Sequence, residues 1–80
     1  MERTEILEKI QGIFRDVIGN PSLTITEDTT ADEIEGWDSL AQISIVSAVA
    51  DEFQISPSID EILAMKSIKK IVDIVHMSVK

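Results

Sequence analysis

The apolar residues of the first quarter of the chain are Ile6, Leu7, Ile10, Ile13, Phe14, Val17 and Ile18, recurring at steps of one and three. Steps of that size hold side chains on one face of an α-helix and scatter them over both faces of a strand. The spacing returns at Leu40, Ile43, Val46, Val49, Ala50 and Phe53, with Ile45 widening the stripe, and again at Ile68, Ile71, Val72, Val75 and Val79. Strand-like alternation is confined to Leu23-Thr24-Ile25. The pattern requires an all-α fold.

Local signals set the helix ends. Thr4 is the expected N-cap of the first helix, with Glu5 and Glu8 where the helix dipole favours anions, and Gly19-Asn20-Pro21 ends it. A second helix opens at Asp38 as N-cap and runs from Ser39 to about Phe53, and Pro57 forbids its continuation. Ser58 and Glu61 form a capping box for a short third helix, Ile59 to about Ala64. Ser67 caps the fourth, which carries Lys80 at its C-terminus. From Gly19 to Trp37 the chain is polar, and Leu23, Ile25 and Ile34 are expected to pin this loop to the helices, with a short turn near Ala31–Ile34. The expectation is one domain over residues 1–80, a four-helix bundle with three long helices, one short third helix and a long first loop.

Composition removes most chemistry. Eighty residues, 44% of them hydrophobic, suffice for one small core. There is no cysteine, so disulfides, thiolate metal sites and a cysteine nucleophile are excluded. His76 is the single histidine, read as a surface or rim residue, and no metal site or catalytic triad is expected around it. Asp28-Thr29-Thr30-Ala31-Asp32-Glu33 fails the calcium-loop pattern at its third position and has Glu where Gly is needed. No apolar run approaches the ~18–20 residues of a membrane span, and no signal peptide is expected. A cytoplasmic protein is the expectation.

The net charge of −8 is unevenly spread: between Asp16 and Met65 lie eleven acids and no Lys or Arg. Such a surface repels nucleic acid and anionic lipid and attracts basic patches on protein partners. Solubility alone leaves the segregation of the bases unexplained.

The remaining chemistry sits at Glu35-Gly36-Trp37-Asp38-Ser39-Leu40. A serine at the first helical position is exposed, and the helix start favours a phosphate ester on its oxygen. Asp38 caps the helix and Gly36 permits a sharp bend before it. An ordinary helix start has the same ingredients. Trp37-Asp38-Ser39-Leu40 differs from the Gly-Asp-Ser-Leu of one lipase family at its first residue, and the chain offers no base but His76.

The string Gly36-Trp37-Asp38-Ser39-Leu40, half-way along an acidic, cysteine-free, helical chain, resembles the acyl carrier protein family. The resemblance extends from Ile13-Phe14 and the Pro21 turn through Asp51-Glu52-Phe53 to Ser67-Ile68. It implies that Ser39 carries 4′-phosphopantetheine, donated by coenzyme A, with Gly36, Asp38 and Leu40 shaping the attachment site. A carrier of this kind has no catalytic residues and holds acyl, aminoacyl or ketide cargo as a thioester. The implied partners are a phosphopantetheinyl transferase, an acyl- or aminoacyl-loading enzyme, and transferases and synthases with basic docking patches. Docking is expected at Trp37, Leu40, Ser44, Asp51, Glu52, Asp60 and Glu61 of a monomeric protein, although Trp37 reads equally as a lid packed over the loop.

Carriers of bacterial fatty-acid synthesis usually have acids along the second helix, where this chain has Ala41, Ser44, Ser47 and Ala50. The departure implies a dedicated pathway rather than general fatty-acid synthesis. The rival reading is a cofactor-free acidic helical adaptor that only docks partners.

Overall fold

The computed structural model describes residues 1–79; Lys80, expected at the end of the last helix, lies outside them. The helices are α1 (Arg3–Ile18), α2 (Ser39–Phe53), α3 (Ile59–Ala64) and α4 (Ile68–Ser78), with one turn of 3₁₀ helix at Ala31–Glu33 in the long loop. Their bounds follow the predicted caps with one exception. Helix α1 starts at Arg3, and its N-cap is Glu2, which makes no side-chain capping bond, so Thr4 is not the cap. An ion cluster holds that end instead: the Arg3 guanidinium pairs with Glu27 of the loop and, at 2.7 Å, with Asp73 of α4.

Gly19 closes α1 in the left-handed conformation, returning its N–H to Arg15 O. The Ser58–Glu61 capping box forms as expected, and Ser67 accepts from Lys70 N at the start of α4.

Helix α1 packs against both α2 and α4. It buries Ile6, Ile10 and Phe14 against Ile45, Val46, Val49 and Phe53 of α2 and Ile68, Ile71, Val72 and Val75 of α4. Met65, in the link between α3 and α4, is fully buried in the same core.

The α2 stripe differs from its expected form. Leu40 and Ile43 are 78% and 68% exposed, so they belong to the surface and not to the core. The cause is geometric. Three successive steps of three residues advance a helix by about 900°, which turns Leu40 to the side opposite Val49. The buried line is Gln42, Ile45, Val46, Val49 and Phe53, at i, i+3, i+4, i+7 and i+11, with a glutamine at its head.

The long loop is stitched down along its length. Ile25 and Ile34 are buried, and Leu23 is half-buried against the core. Ile25 N–H donates to Gln11 Oε1 at 2.9 Å, and Arg15 Nε donates to Leu23 O at 2.7 Å. Further on, Ala31 N–H donates to Lys66 O at 3.2 Å and Ile68 N–H to Thr29 O at 3.0 Å, an antiparallel bridge centred on Thr30 and Ser67. Loop and α4 therefore fix each other just ahead of the turn into α2.

Candidate functional site

Four residues build the turn into α2. Ile34 is buried and anchors it. Gly36 adopts φ +94°, a conformation that side chains disfavour, and a Cβ there would sit 3.4 Å from Ile18 Cγ2. The Trp37 ring packs edge-on against Phe14, with centroids 4.8 Å apart and planes at 80°. Asp38 takes an extended conformation and its Oδ1 accepts from Ala41 N–H at 2.9 Å, completing the N-cap.

Because Asp38 does the capping, the next residue is left free for other chemistry. Ser39 is the first residue of α2 and is exposed. No acidic residue occupies the first turn of this helix, so its N–H groups and dipole face a Ser39 substituent without a competing carboxylate inside the helix.

Beside Ser39 an open groove of about 550 Å³ runs between α2 and α3. Trp37, Asp38, Ser39, Gln42 and Ile43 line one side, and Ile62, Leu63 and Lys66 the other. Its floor is held by Gln42. Trp37 Nε1–H donates to Gln42 Oε1 at 2.5 Å, and Gln42 Nε2 donates to Met65 O at 2.8 Å and, more weakly, to Ile62 O at 3.4 Å. One amide thus joins the turn, α2 and the end of α3.

Gly36, Trp37, Asp38, Ser39 and Leu40 come together because they are consecutive, and Leu40 stands exposed on the outer side of the helix. The other residues expected to meet partners are dispersed. Ser44 is exposed on α2, whereas Asp51 and Glu52 lie at its far end, about 20 Å from Ser39 by helix rise. Glu52 also pairs with Lys9 at 3.6 Å. On α3 Asp60 is exposed, while Glu61 is half-buried and accepts from Ser58 N–H at 2.8 Å in the capping box. Gln42, Ile43, Ile62, Leu63 and Lys66 were not expected at the site. Only Gln42 has a sequence signal, its register with Ile45, Val46 and Val49.

An exposed hydroxyl at a helix start capped by the preceding Asp38, next to a groove with apolar walls and one cation, has room for a phosphopantetheine ester. The phosphopantetheine attachment site family matches residues 8–75. The acyl carrier protein of Saccharopolyspora erythraea is 40% identical over 52 residues, which is 65% of this chain and 55% of that protein's length. The acyl carrier protein of Thermosynechococcus vestitus is 26% identical over 80 residues, 99% of this chain and 98% of its own. Among solved structures, holo acyl carrier protein from Geobacter metallireducens superposes with a TM-score of 0.83 at 26% identity, over 91% of this chain and 84% of that one. Acyl carrier protein from Thermotoga maritima gives 0.83 at 31% identity, over 98% and 91%. Sequence and superposition run through the same turn and the same helices, and on that ground the chain belongs to the acyl carrier protein family, whose prosthetic group is 4′-phosphopantetheine.

Proposed function

We propose that Ser39 Oγ is the atom that carries 4′-phosphopantetheine and that the holo protein presents acyl cargo to the enzymes of a dedicated pathway. The observation that carries the attachment reading is the division of labour at the helix start. Asp38 satisfies the Ala41 N–H, and Ser39 stays exposed with its hydroxyl available for esterification. Gly36 sets the bend, and Trp37, half-buried on Phe14, holds the turn in place. When attached, the group supplies a terminal thiol on a long arm, which holds an acyl group as a thioester. The chain's own residues expose the attachment atom, fix the turn and present surfaces to enzymes.

The pathway reading rests on α2. Its outer face carries Leu40, Ile43, Ser44 and Ser47, all exposed and all uncharged. An enzyme that grips a carrier through acids along this helix finds only Asp51 and Glu52, at its far end. Asp60 and the loop acids remain to steer basic partners. Ala41 and Ala50 are half-buried, so the neutral docking face consists of the serines rather than the alanines.

Intact mass tests the attachment. Incubation with coenzyme A and a broad-specificity phosphopantetheinyl transferase is expected to add one phosphopantetheine to the wild type and none to Ser39→Ala. A wild type that gains nothing while a control carrier is loaded fits a cofactor-free adaptor instead. A Ser39→Ala variant that still gains mass overturns the assignment.

A further inference from the structure

We propose that the groove between α3 and α4 is a face on which two copies of this chain pair about a two-fold axis, with Asp60 of each copy against Lys70 of the other. The proposal is independent of the attachment reading, because this groove shares no lining residue with the one beside Ser39.

The first argument is unspent charge. The groove has a volume of about 450 Å³ and is walled by α3 and α4, with Arg3 of α1 also lining it. Arg3 and Asp73 pair with each other, and Glu61 accepts from Ser58 N–H in the capping box. Asp60 on the α3 wall, and Lys70 and His76 on the α4 wall, form no ion pair among the described residues. Asp60 and Lys70 are both exposed, so an acid on one wall and a base on the other face solvent without reaching each other. Under a two-fold axis residue i meets j and j meets i, which brings the acidic wall of each copy to the basic wall of the other. One contact then makes two pairs.

The second argument is what can occupy such a groove. The net charge is −8, and from Asp16 to Met65 there are acids but no Lys or Arg, so most approaches of two copies set like charges together. Lys70 lies beyond that run and places a base in the groove. A wholly basic partner would suit Asp60 and meet Lys70 unfavourably, and a wholly acidic one the reverse. A second copy matches both walls at once.

The third argument is the apolar seam and its size. Met77 is 70% exposed in the last turn of α4 and lines the groove with exposed Ala64 and half-buried Ile74. A thioether side chain adapts to an irregular surface, and pairing covers one from each copy. One tenth of the 5011 Å² surface from each copy gives about 1,000 Å², the lower limit of a specific interface. The dimer is therefore weak, and the single copy prevails in dilute solution.

The test uses the full chain as wild type, Asp60→Lys, Lys70→Glu and the double variant, with Ser39 in one state throughout by mass. Sedimentation from micromolar to millimolar concentration gives the dimer constant. Amide spectra over the same range show which surface is involved, and circular dichroism checks that each variant is folded. Wild type is expected to associate as concentration rises, with shifts at Asp60, Ala64, Lys70 and Met77. Either single substitution should weaken association by about 2- to 30-fold, the range of two exposed ion pairs. The double variant exchanges the signs of the walls and should regain wild-type association. An equimolar mixture of the two single variants should do the same, since each supplies the charge the other lacks. A wild type that stays monomeric at millimolar concentration overturns the proposal. Association mapped to other residues, or single variants rescued by neither the mixture nor the double variant, overturns the two-fold pairing. Should one single variant unfold, the wild-type series and the other variant decide. Groove signals that move only on adding a partner enzyme assign the groove to that enzyme and overturn the pairing equally.

Discussion

Trp37 and Gln42 are joined by an indole N–H donated to the amide oxygen at 2.5 Å, and the same amide reaches the Met65 carbonyl at 2.8 Å. This pair connects the residue before the N-cap of α2 to the end of α3. A glutamine on the inner line of a helix is tolerable only because its polar atoms are satisfied.

Replacing Gln42 with Leu keeps the volume and strips these bonds, leaving the Trp37 N–H and the buried Met65 carbonyl unpaired. The expected cost is about 1–3 kcal/mol, or a Tm lower by roughly 5–15 °C. Trp37 is the chain's one tryptophan, so its fluorescence reports the turn directly. An unchanged Tm and an unshifted emission maximum would show that the bonds contribute nothing.

Two glycines should respond in opposite directions. Gly36 at φ +94° faces Ile18, so Gly36→Ala is expected to lose about 1–2 kcal/mol and to slow loading of Ser39 by displacing the turn. Gly12 lies within α1 with nothing within 4 Å of a new Cβ, so Gly12→Ala should gain about 0.5–1 kcal/mol. Denaturant midpoints of the two variants test both signs at once.

How far these features were legible depends on whether they leave a periodic trace. The Ser58–Glu61 box and the span Ile59–Ala64 were readable because a cap is a local chemical pattern. Ser39 and Asp38 were readable for the same reason, and Ile25 and Ile34 stood out as isolated apolar residues in a polar loop. Met65 was not, because one buried residue in a link between helices has no neighbours to establish a period. Leu40 and Ile43 read as part of the buried stripe because steps of three mimic a stripe while drifting around the helix, although Leu40 also read as a docking residue, which its exposure fits. Arg3 replaced Thr4 at the start of α1 through partners at Glu27 and Asp73, distant contacts that no local pattern encodes.

The ion cluster at that end has a pH signature. The hydrogen-bonded Arg3 guanidinium lowers the Glu27 carboxyl below its ordinary value, outweighing the opposing effect of partial desolvation. A folded-state value below the unfolded one stabilises the fold above the ordinary carboxylate range, and the contribution is lost as pH falls through the folded value. Wild type is therefore expected to lose more stability than Glu27→Gln between about pH 5 and pH 3. The difference should be small and shrink with salt, since about a third of each side chain is in water, 34% for Arg3 and 35% for Glu27. Parallel pH curves for the two proteins would remove Glu27 from the acid response.

The last prediction concerns which enzymes accept the carrier. Ser44 and Ser47 are exposed and uncharged on the outer face of α2, between Ser39 and the acids at its far end. If an enzyme of bacterial fatty-acid synthesis docks through basic residues along this helix, two of its contacts are missing here. Each exposed pair is worth about 0.2–1 kcal/mol, so Ser44→Glu with Ser47→Glu should raise efficiency by roughly 2- to 30-fold if the contacts add. The gain should diminish at high salt, as expected of surface charge. The loop acids and Asp60 still steer the encounter, so the wild type's own on-rate should fall with salt even where its affinity is poor. The measurement is kcat/KM of a malonyl transferase from bacterial fatty-acid synthesis on holo wild type, the holo double variant and a fatty-acid carrier. A wild type used as well as the fatty-acid carrier, with no gain in the double variant, would show that α2 does not set the pathway, leaving attachment at Ser39 untouched.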